Sequence, residues 1–293
     1  YDTRDMSKSS EDSIGPEISG DGRYITFRSK DVLAYGAQSP VYPNKYNTYI
    51  YDRSNKEMAV LLDKDGKSFE GVSPSISNDG SLIAFYSKST NLVNGDTNDQ
   101  GDVFTYNQIT GKNQRISIAN TGEQGNKFSG VATDISADGR YVVFASKATN
   151  LYPEDDNGTP DIFIYDTQTK QISDVDLKPS GLDYLTARDQ PSISGDGKYV
   201  AFAAMEHPTI NYSIYLWNRD TGLTKRISLA ELLPGYSRYY ANVPQISDNG
   251  KYICYHLNSQ IYRYNIETEE TEIASIGIDG EKGNGNSNDP NIS

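Results

Sequence analysis

One segment recurs five times along the chain: PEISGDGRYITFRSK from Pro16, PSISNDGSLIAFYSK from Pro74, TDISADGRYVVFASK from Thr133, PSISGDGKYVAFAAM from Pro191 and PQISDNGKYICYHLN from Pro244. Successive copies start 58, 59, 58 and 53 residues apart, and a sixth opens as PNIS at Pro290, 46 residues after the fifth. This period is that of a four-stranded propeller blade, a unit that cannot bury its own faces and is covered by stacking on its neighbours. Residues 1–293 are therefore read as a single domain.

Each unit carries its own strand signals. A short inner strand such as Ser75-Ile76-Ser77 leads to Asp21-Gly22, Asp79-Gly80, Asp138-Gly139, Asp196-Gly197 or Asn249-Gly250. These pairs tolerate positive φ and are read as two-residue hairpin turns. The second strand is almost continuously apolar, as in Tyr141-Val142-Val143-Phe144-Ala145, which is expected of a sheet covered on both faces. A third strand follows a variable loop, for example Asp161-Ile162-Phe163-Ile164-Tyr165. A polar fourth strand, such as Gln114-Arg115-Ile116-Ser117, reads as a water-facing edge.

The units P-x-I-S-x-D-G-x-Y-x-x-F followed by D-x-F-x-Y-D-x-x-T-G resemble the TolB-type propeller repeat, a relative of the WD-repeat propellers, over nearly all of the chain. The resemblance implies an all-β propeller of five four-stranded blades and a habit of protein–protein contact. It does not imply catalysis, because such propellers serve as scaffolds or as the non-catalytic part of peptidases.

Five inner strands suffice for five blades, so Asn288-Asp289-Pro290-Asn291-Ile292-Ser293 is surplus. It is read either as a domain boundary or tail, or as a strand (residues 288–293) that adds to a blade edge of another molecule, since unpaired strand ends are templates for strand addition.

The second and third units share an acidic loop between strands two and three, aligning Asp96 with Asp155, Asn98 with Asn157 and Asp102 with Asp161. Asp-x-Asn-x-x-x-Asp gathers side-chain oxygens in a tight turn, which suits calcium. The same residues also bond their own backbone in Asx-turns, a reading that needs no metal. There is no EF-hand glutamate at position twelve.

Catalytic constellations are sparse. The two histidines, His207 and His256, fall in different units. Cys254 and His256 share a strand face and are read as core residues rather than a nucleophile pair. Nucleophile-elbow, zincin and P-loop motifs are missing. A five-bladed glycosidase would need two or three inward carboxylates. The inner strands offer Glu17 and Asp134, which share one repeat slot with Ser75, Ser192 and Gln245, and the flanking turns offer Asp189 and Asp248. Tyrosine-rich loops, Tyr35 through Tyr46 and Tyr236-Ser237-Arg238-Tyr239-Tyr240, can stack on a glycan, anchor a protein or cap a blade edge.

Composition narrows the partners. A net charge of −13 opposes nucleic-acid binding, and Cys254 alone cannot form an internal disulfide. The absence of a long apolar run argues against membrane insertion, and the non-Met start is read either as a processed, exported chain, secreted, extracellular or periplasmic, or as a trimmed one. The expected function is a non-enzymatic interaction or assembly module, with carbohydrate or ligand binding as the alternative and glycosidase as the remote one.

Overall fold

The computed structural model describes residues 13–30, 45–153, 159–175, 185–187, 190–206, 211–228, 241–277, 280–283, 285–288 and 290–292. Within them the repeat becomes five antiparallel sheets, one per unit, and there is no helix. The first blade is β1 (Ser13–Ile18), β2 (Tyr24–Ser29), β3 (Asn47–Asp52) and β4 (Glu57–Val60). The second is β5 (Val72–Ile76), β6 (Leu82–Ser87), β7 (Asp102–Asn107) and β8 (Lys112–Arg115). The third is β9 (Ser129–Ile135), β10 (Tyr141–Ser146), β11 (Asp161–Asp166) and β12 (Gln171–Asp174). In the fourth the inner strand is split into β13 (Leu185–Ala187) and β14 (Ser192–Ile193), both paired to β15 (Tyr199–Glu206), followed by β16 (Tyr212–Asn218) and β17 (Leu223–Arg226). The fifth is β18 (Ala241–Ile246), β19 (Tyr252–Leu257), β20 (Gln260–Asn265) and β21 (Thr271–Ile273). These are the blades of an all-β propeller.

The turn after each inner strand explains why Ser and Asp recur in the repeat. It is not a two-residue turn. Four residues separate Ser77 from Leu82, whose backbone groups pair, and Gly80 N donates to Ser77 O inside that loop. Ser77 Oγ donates to Asp79 Oδ1 at 2.8 Å and accepts from Leu82 N at 3.1 Å, while Asp79 Oδ1 also accepts from Ser81 N. The same serine lock closes the other four blades, through Ser19 on Asp21, Ser136 on Asp138, Ser194 on Asp196 and Ser247 on Asn249. All five serines are buried. A buried hydroxyl that lost these partners would leave amide groups unsatisfied, so the signature is structural.

Each inner strand is also kinked. Register shifts interrupt β1, β5, β9 and β18. In three of these strands the residue before the repeat proline has positive φ: Gly15 (60°), Ser73 (48°) and Val243 (49°). Glycine takes this conformation freely, whereas a β-branched side chain is strained there.

Apolar faces meet between blades. One cluster joins Ile50 and Leu61 to Ile76, Ile83, Phe85 and Phe104; another joins Ala84, Val103 and Ile116 to Ile135, Val142, Phe144 and Phe163. Equivalent clusters fill the third–fourth and fourth–fifth junctions. The inner turns add a backbone chain in which Asp21 N donates to Asn78 O, Asn78 N to Ala137 O, Ala137 N to Gly195 O and Gly195 N to Asp248 O. Among the described residues the fifth junction is different. No apolar cluster spans the fifth and first blades, and no strand of the fifth packs face to face on a strand of the first. Ile18 is accordingly 54% exposed, whereas its repeat equivalents Ile76, Ile135, Ile193 and Ile246 are 8% exposed or less.

Candidate functional site

Two groups of acidic residues stand out from the repeat, one at the hub and one in the second-blade loop. At the hub, β1, β5, β9, β14 and β18 bring Glu17, Ser75, Asp134, Ser192 and Gln245 to one register level, opposite Thr26, Ala84, Val143, Ala201 and Cys254. Asp134 is half-buried, and both of its oxygens are bonded. Its Oδ1 accepts from Ser75 Oγ (3.1 Å) and Ile135 N (2.9 Å), and its Oδ2 from Ser192 Oγ (3.0 Å) and Ile193 N (2.9 Å). Burial nevertheless raises its pKa above the ordinary aspartate value, the four donors only partly offsetting it. Desolvation also raises the Glu17 carboxyl, to about 7, with the Asp134 charge adding to the shift. Glu17 is nevertheless solvent-exposed, which screens this shift. Of the two flanking acids, Asp248 Oδ2 accepts from Asn78 Nδ2 at 3.4 Å, and Asp189 lies outside the described residues.

The second-blade loop holds a cation of its own. Asp96 and Asp102 have side chains 2% and 1% exposed, and Arg115, 6% exposed, reaches between them, with Nη1 3.5 Å from Asp96 Oδ1 and 3.6 Å from Asp102 Oδ2. Arg115 Nη1 also donates to Gln124 Oε1 at 2.6 Å. Asn98 does not offer its oxygen to a shared centre. Its Nδ2 donates to Asp102 Oδ2 and Gly125 O, and its Oδ1 accepts from Gln100 N in an Asx-turn. Ser117 Oγ donates to Asp102 Oδ1 at 2.6 Å. Desolvation raises the pKa of both aspartates, and Arg115 pulls in the opposite direction. Arg115 closes β8, so the end of that strand is buried and does not face water as the sequence suggested.

The third-blade loop differs. Asp155 and Asn157 lie outside the described residues, while Asp161 is buried at the start of β11. Arg115 pairs across to Phe104, and the residue in that register position of the third blade, opposite Phe163, is Asp174. The guanidinium of one blade is thus a second carboxylate in the next. Among the described residues no three His, Cys, Asp or Glu side chains gather as a metal-binding group.

Of the remaining sequence candidates, Cys254 is 5% exposed and burial pushes its thiol up to about 11, which suppresses the thiolate. His256 Nε2 accepts from Ser259 N at 3.0 Å, so the ring proton is on Nδ1, 3.0 Å from Asn242 Oδ1. His207, Asp189 and the tyrosines at 35, 42, 236, 239 and 240 lie outside the described residues. Tyr46 is described, with the Lys30 ammonium 4.9 Å and the Arg28 guanidinium 5.5 Å from its ring. Asn288 and residues 290–292 carry no strand pairing, and Ser287 N is tied back to Ser259 O. No helix among the described residues is long and apolar enough to cross a membrane.

No family model matches the chain, and no curated protein matches it. Solved structures do. TolB from Acinetobacter baumannii aligns with a TM-score of 0.53 at 18% identity, covering 89% of this chain and 53% of that one. The chain therefore spans about half the length of that relative. A TolB described as putative from Agrobacterium tumefaciens aligns at 0.56 and 14% identity over 90% of this chain and 81% of that one. An oligogalacturonate lyase from Vibrio parahaemolyticus aligns at 0.56 and 13% identity over 93% and 69%. At these identities the likeness concerns fold alone, since one propeller hosts unrelated tasks. In fold, the chain is a TolB-like β-propeller.

Proposed function

We propose that this propeller is a non-catalytic interaction module of an exported protein, presenting fixed loops to a protein partner or to a second copy. The observation that carries the reading is the employment of the hub and loop acids other than Glu17. Asp134 is occupied by four donors, and Asp96 and Asp102 flank Arg115. A glycosidase pair needs one carboxyl free to protonate a leaving group and a second free to attack or activate water. Carboxylates already committed to holding blades and loops together favour a scaffold. The test is solution mass by light scattering on the intact chain and on a chain lacking residues 286–293. Oligomers that disappear with the tail support assembly through it. A monomer in both cases moves the reading to a partner-binding module, and glycan hydrolysis lost in Glu17→Gln would overturn it.

Calcium is proposed for the third blade alone. Support comes from Asp174, which stands opposite Phe163 in the register position that Arg115 holds in the second blade. Millimolar calcium added after chelation is expected to raise the melting temperature, as any ligand of the folded state does, and Asp161→Asn is expected to abolish the rise. An unchanged melt of the parent protein would refute the assignment.

A further inference from the structure

The fifth blade turns from its second strand to its third more tightly than the second blade does. Residues 88–101 join β6 to β7, whereas Asn258 and Ser259 alone join β19 to β20. Their φ angles are 45° and 70°, the pair of positive values that a two-residue hairpin turn requires. Asparagine tolerates this conformation, and serine does so less readily. The turn is braced from the strand behind it: Ser259 N donates to His256 Nε2 at 3.0 Å, while His256 Nδ1 stands 3.0 Å from Asn242 Oδ1. On its other side Ser259 O accepts from Ser287 N at 3.0 Å. The second blade has the corresponding bond, from Ser129 N to Gly101 O at 2.9 Å, where the chain enters β9. The bond from Ile261 N to Ser275 Oγ likewise matches that from Val103 N to Ser117 Oγ. Tyr86, opposite Val103, holds in the second blade the place that His256, opposite Ile261, holds in the fifth.

We propose that His256 is an acid-released latch on the C-terminal tail: its neutral ring braces the turn that ties Ser287 to the fifth blade, and a second ring proton lets that tie go. As a regulation of assembly, this rests on the role proposed above for the tail. A backbone N–H only donates, so the bond from Ser259 requires a lone pair on Nε2. An imidazolium carries N–H on both ring nitrogens, and its second proton would set one donor against another. The contact of Nδ1 with Asn242 Oδ1 survives that change, so the loss falls on Ser259 alone. The tail is also fastened at Gly283, whose N donates to Ser275 O at 3.1 Å and whose O accepts from Gln260 Nε2 at 3.0 Å. Neither of those bonds involves a titratable group, so release begins beyond Gly283.

The groups around the ring leave its proton to decide. Ile253, Tyr255 and Leu257 pack toward the fourth blade, so alternation turns His256 and Cys254 to the other face of β19. β18 carries no titratable side chain. From β20, Arg263 stands opposite Cys254 and is already matched by Glu272 of β21 at 2.5 Å, while Tyr262 and Tyr264 join the cluster shared with the fourth blade. In the tail, Glu281 and Lys282 are exposed. No carboxylate among these is hydrogen-bonded to the ring to hold a second proton on it. The latch needs the neutral form, so it is complete above about pH 6.5, where an ordinary imidazole has lost its second proton, and is lost as pH falls.

The experiment follows the Ser259, Gly283 and Ser287 amides of the intact chain by NMR hydrogen exchange, corrected for intrinsic rates, between about pH 7.5 and pH 5.5. It compares the wild type with His256→Gln, whose Oε1 can accept from Ser259 N at either pH. Protection of Ser259 and Ser287 is expected to fall about tenfold on acidifying the wild type, the equivalent of one hydrogen bond, in step with the His256 ring signals. Gly283 should hold, and His256→Gln should show no such fall. Equal profiles in the two proteins would overturn the latch. Should His256→Gln fail to fold, the wild type decides alone, since a loss of protection that does not follow the His256 ring titration overturns it as well. Light scattering at both pH values separates the latch from the assembly role. Oligomers that grow on acidification in the wild type but not in His256→Gln support both. Lost protection in a chain that stays monomeric supports the latch and refutes assembly through the tail. Tail-dependent oligomers with unchanged protection support assembly and overturn the latch.

Discussion

Replacing Arg115 with Met keeps the length and packing of the side-chain stem while deleting its charge and its donors. Removing one partner of a buried ion pair typically costs about 3–5 kcal/mol, because the surviving charge is left uncompensated. Here two carboxylates survive, Asp96 and Asp102, each 2% exposed or less. Two features pull the figure down. The Arg115 contacts of 3.5 and 3.6 Å are long for charge-assisted bonds, and Asp102 retains its bonds from Ser117 and Asn98. The expectation is therefore about 3 kcal/mol at pH 7.5. At roughly 2–4 °C per kcal/mol for a domain of this size class, that is a fall in Tm of about 6–12 °C. The relief should be visible as well. Without the guanidinium, desolvation and mutual repulsion lift the two carboxyls further, so the variant should regain stability relative to wild type as pH is lowered from 7.5 to 5, where one of them protonates. Urea unfolding at both pH values measures the pair of differences. A cost below about 0.5 kcal/mol at pH 7.5, or a cost that does not shrink at pH 5, would mean that Arg115 is not the counter-ion of this loop.

Phe144→Ala, at a side chain fully buried between the second and third blades, is expected to cost about 3–5 kcal/mol by chemical denaturation; a near-neutral result would contradict that packing. Ser136→Ala removes the hydroxyl that bonds both Asp138 and Tyr141 N, leaving a backbone N–H without its partner, and should cost about 1–3 kcal/mol. Val243→Gly relieves a β-branched residue at φ 49° and should raise stability by about 1 kcal/mol, measured as a higher Tm; a lower Tm would indicate that the Val243 side chain contributes more than its backbone costs.

The repeat made the blades readable because its signature residues act locally. Each Ser and Asp of the inner turn bonds within five residues of itself, and the second strands of the second, third and fourth blades are apolar because a neighbouring blade lies on both sides of them. What the sequence left open depends on register across the sheet. Asp96, Asn98 and Asp102 lie in one loop and looked like cation ligands by their spacing. Their positive partner, Arg115, arrives from a strand 13 residues beyond Asp102, paired through Phe104, and read as part of a solvent-facing edge. The inner-strand slot shared by Glu17 and Asp134 was visible, but the two behave differently. Which of them would be threaded into the hydrogen bonds of other blades follows from the stacking of five sheets rather than from either local sequence. The kink before the repeat proline was likewise hidden, since Gly15, Ser73 and Val243 have nothing in common as residue types.

Among the described residues no apolar cluster joins the fifth and first blades, and within them the blades form a stack with two ends. In a ring fastened all the way round, detaching any blade breaks two interfaces at once, and unfolding is correspondingly all-or-none. Where one interface lacks such a cluster, an end blade can peel away by giving up a single apolar neighbour, as in linear repeat proteins whose stability is a sum of unit and nearest-neighbour terms. Denaturation should therefore advance from the first and fifth blades inward. Limited proteolysis should leave the second, third and fourth blades as the resistant remnant, with cuts gathering on either side of them.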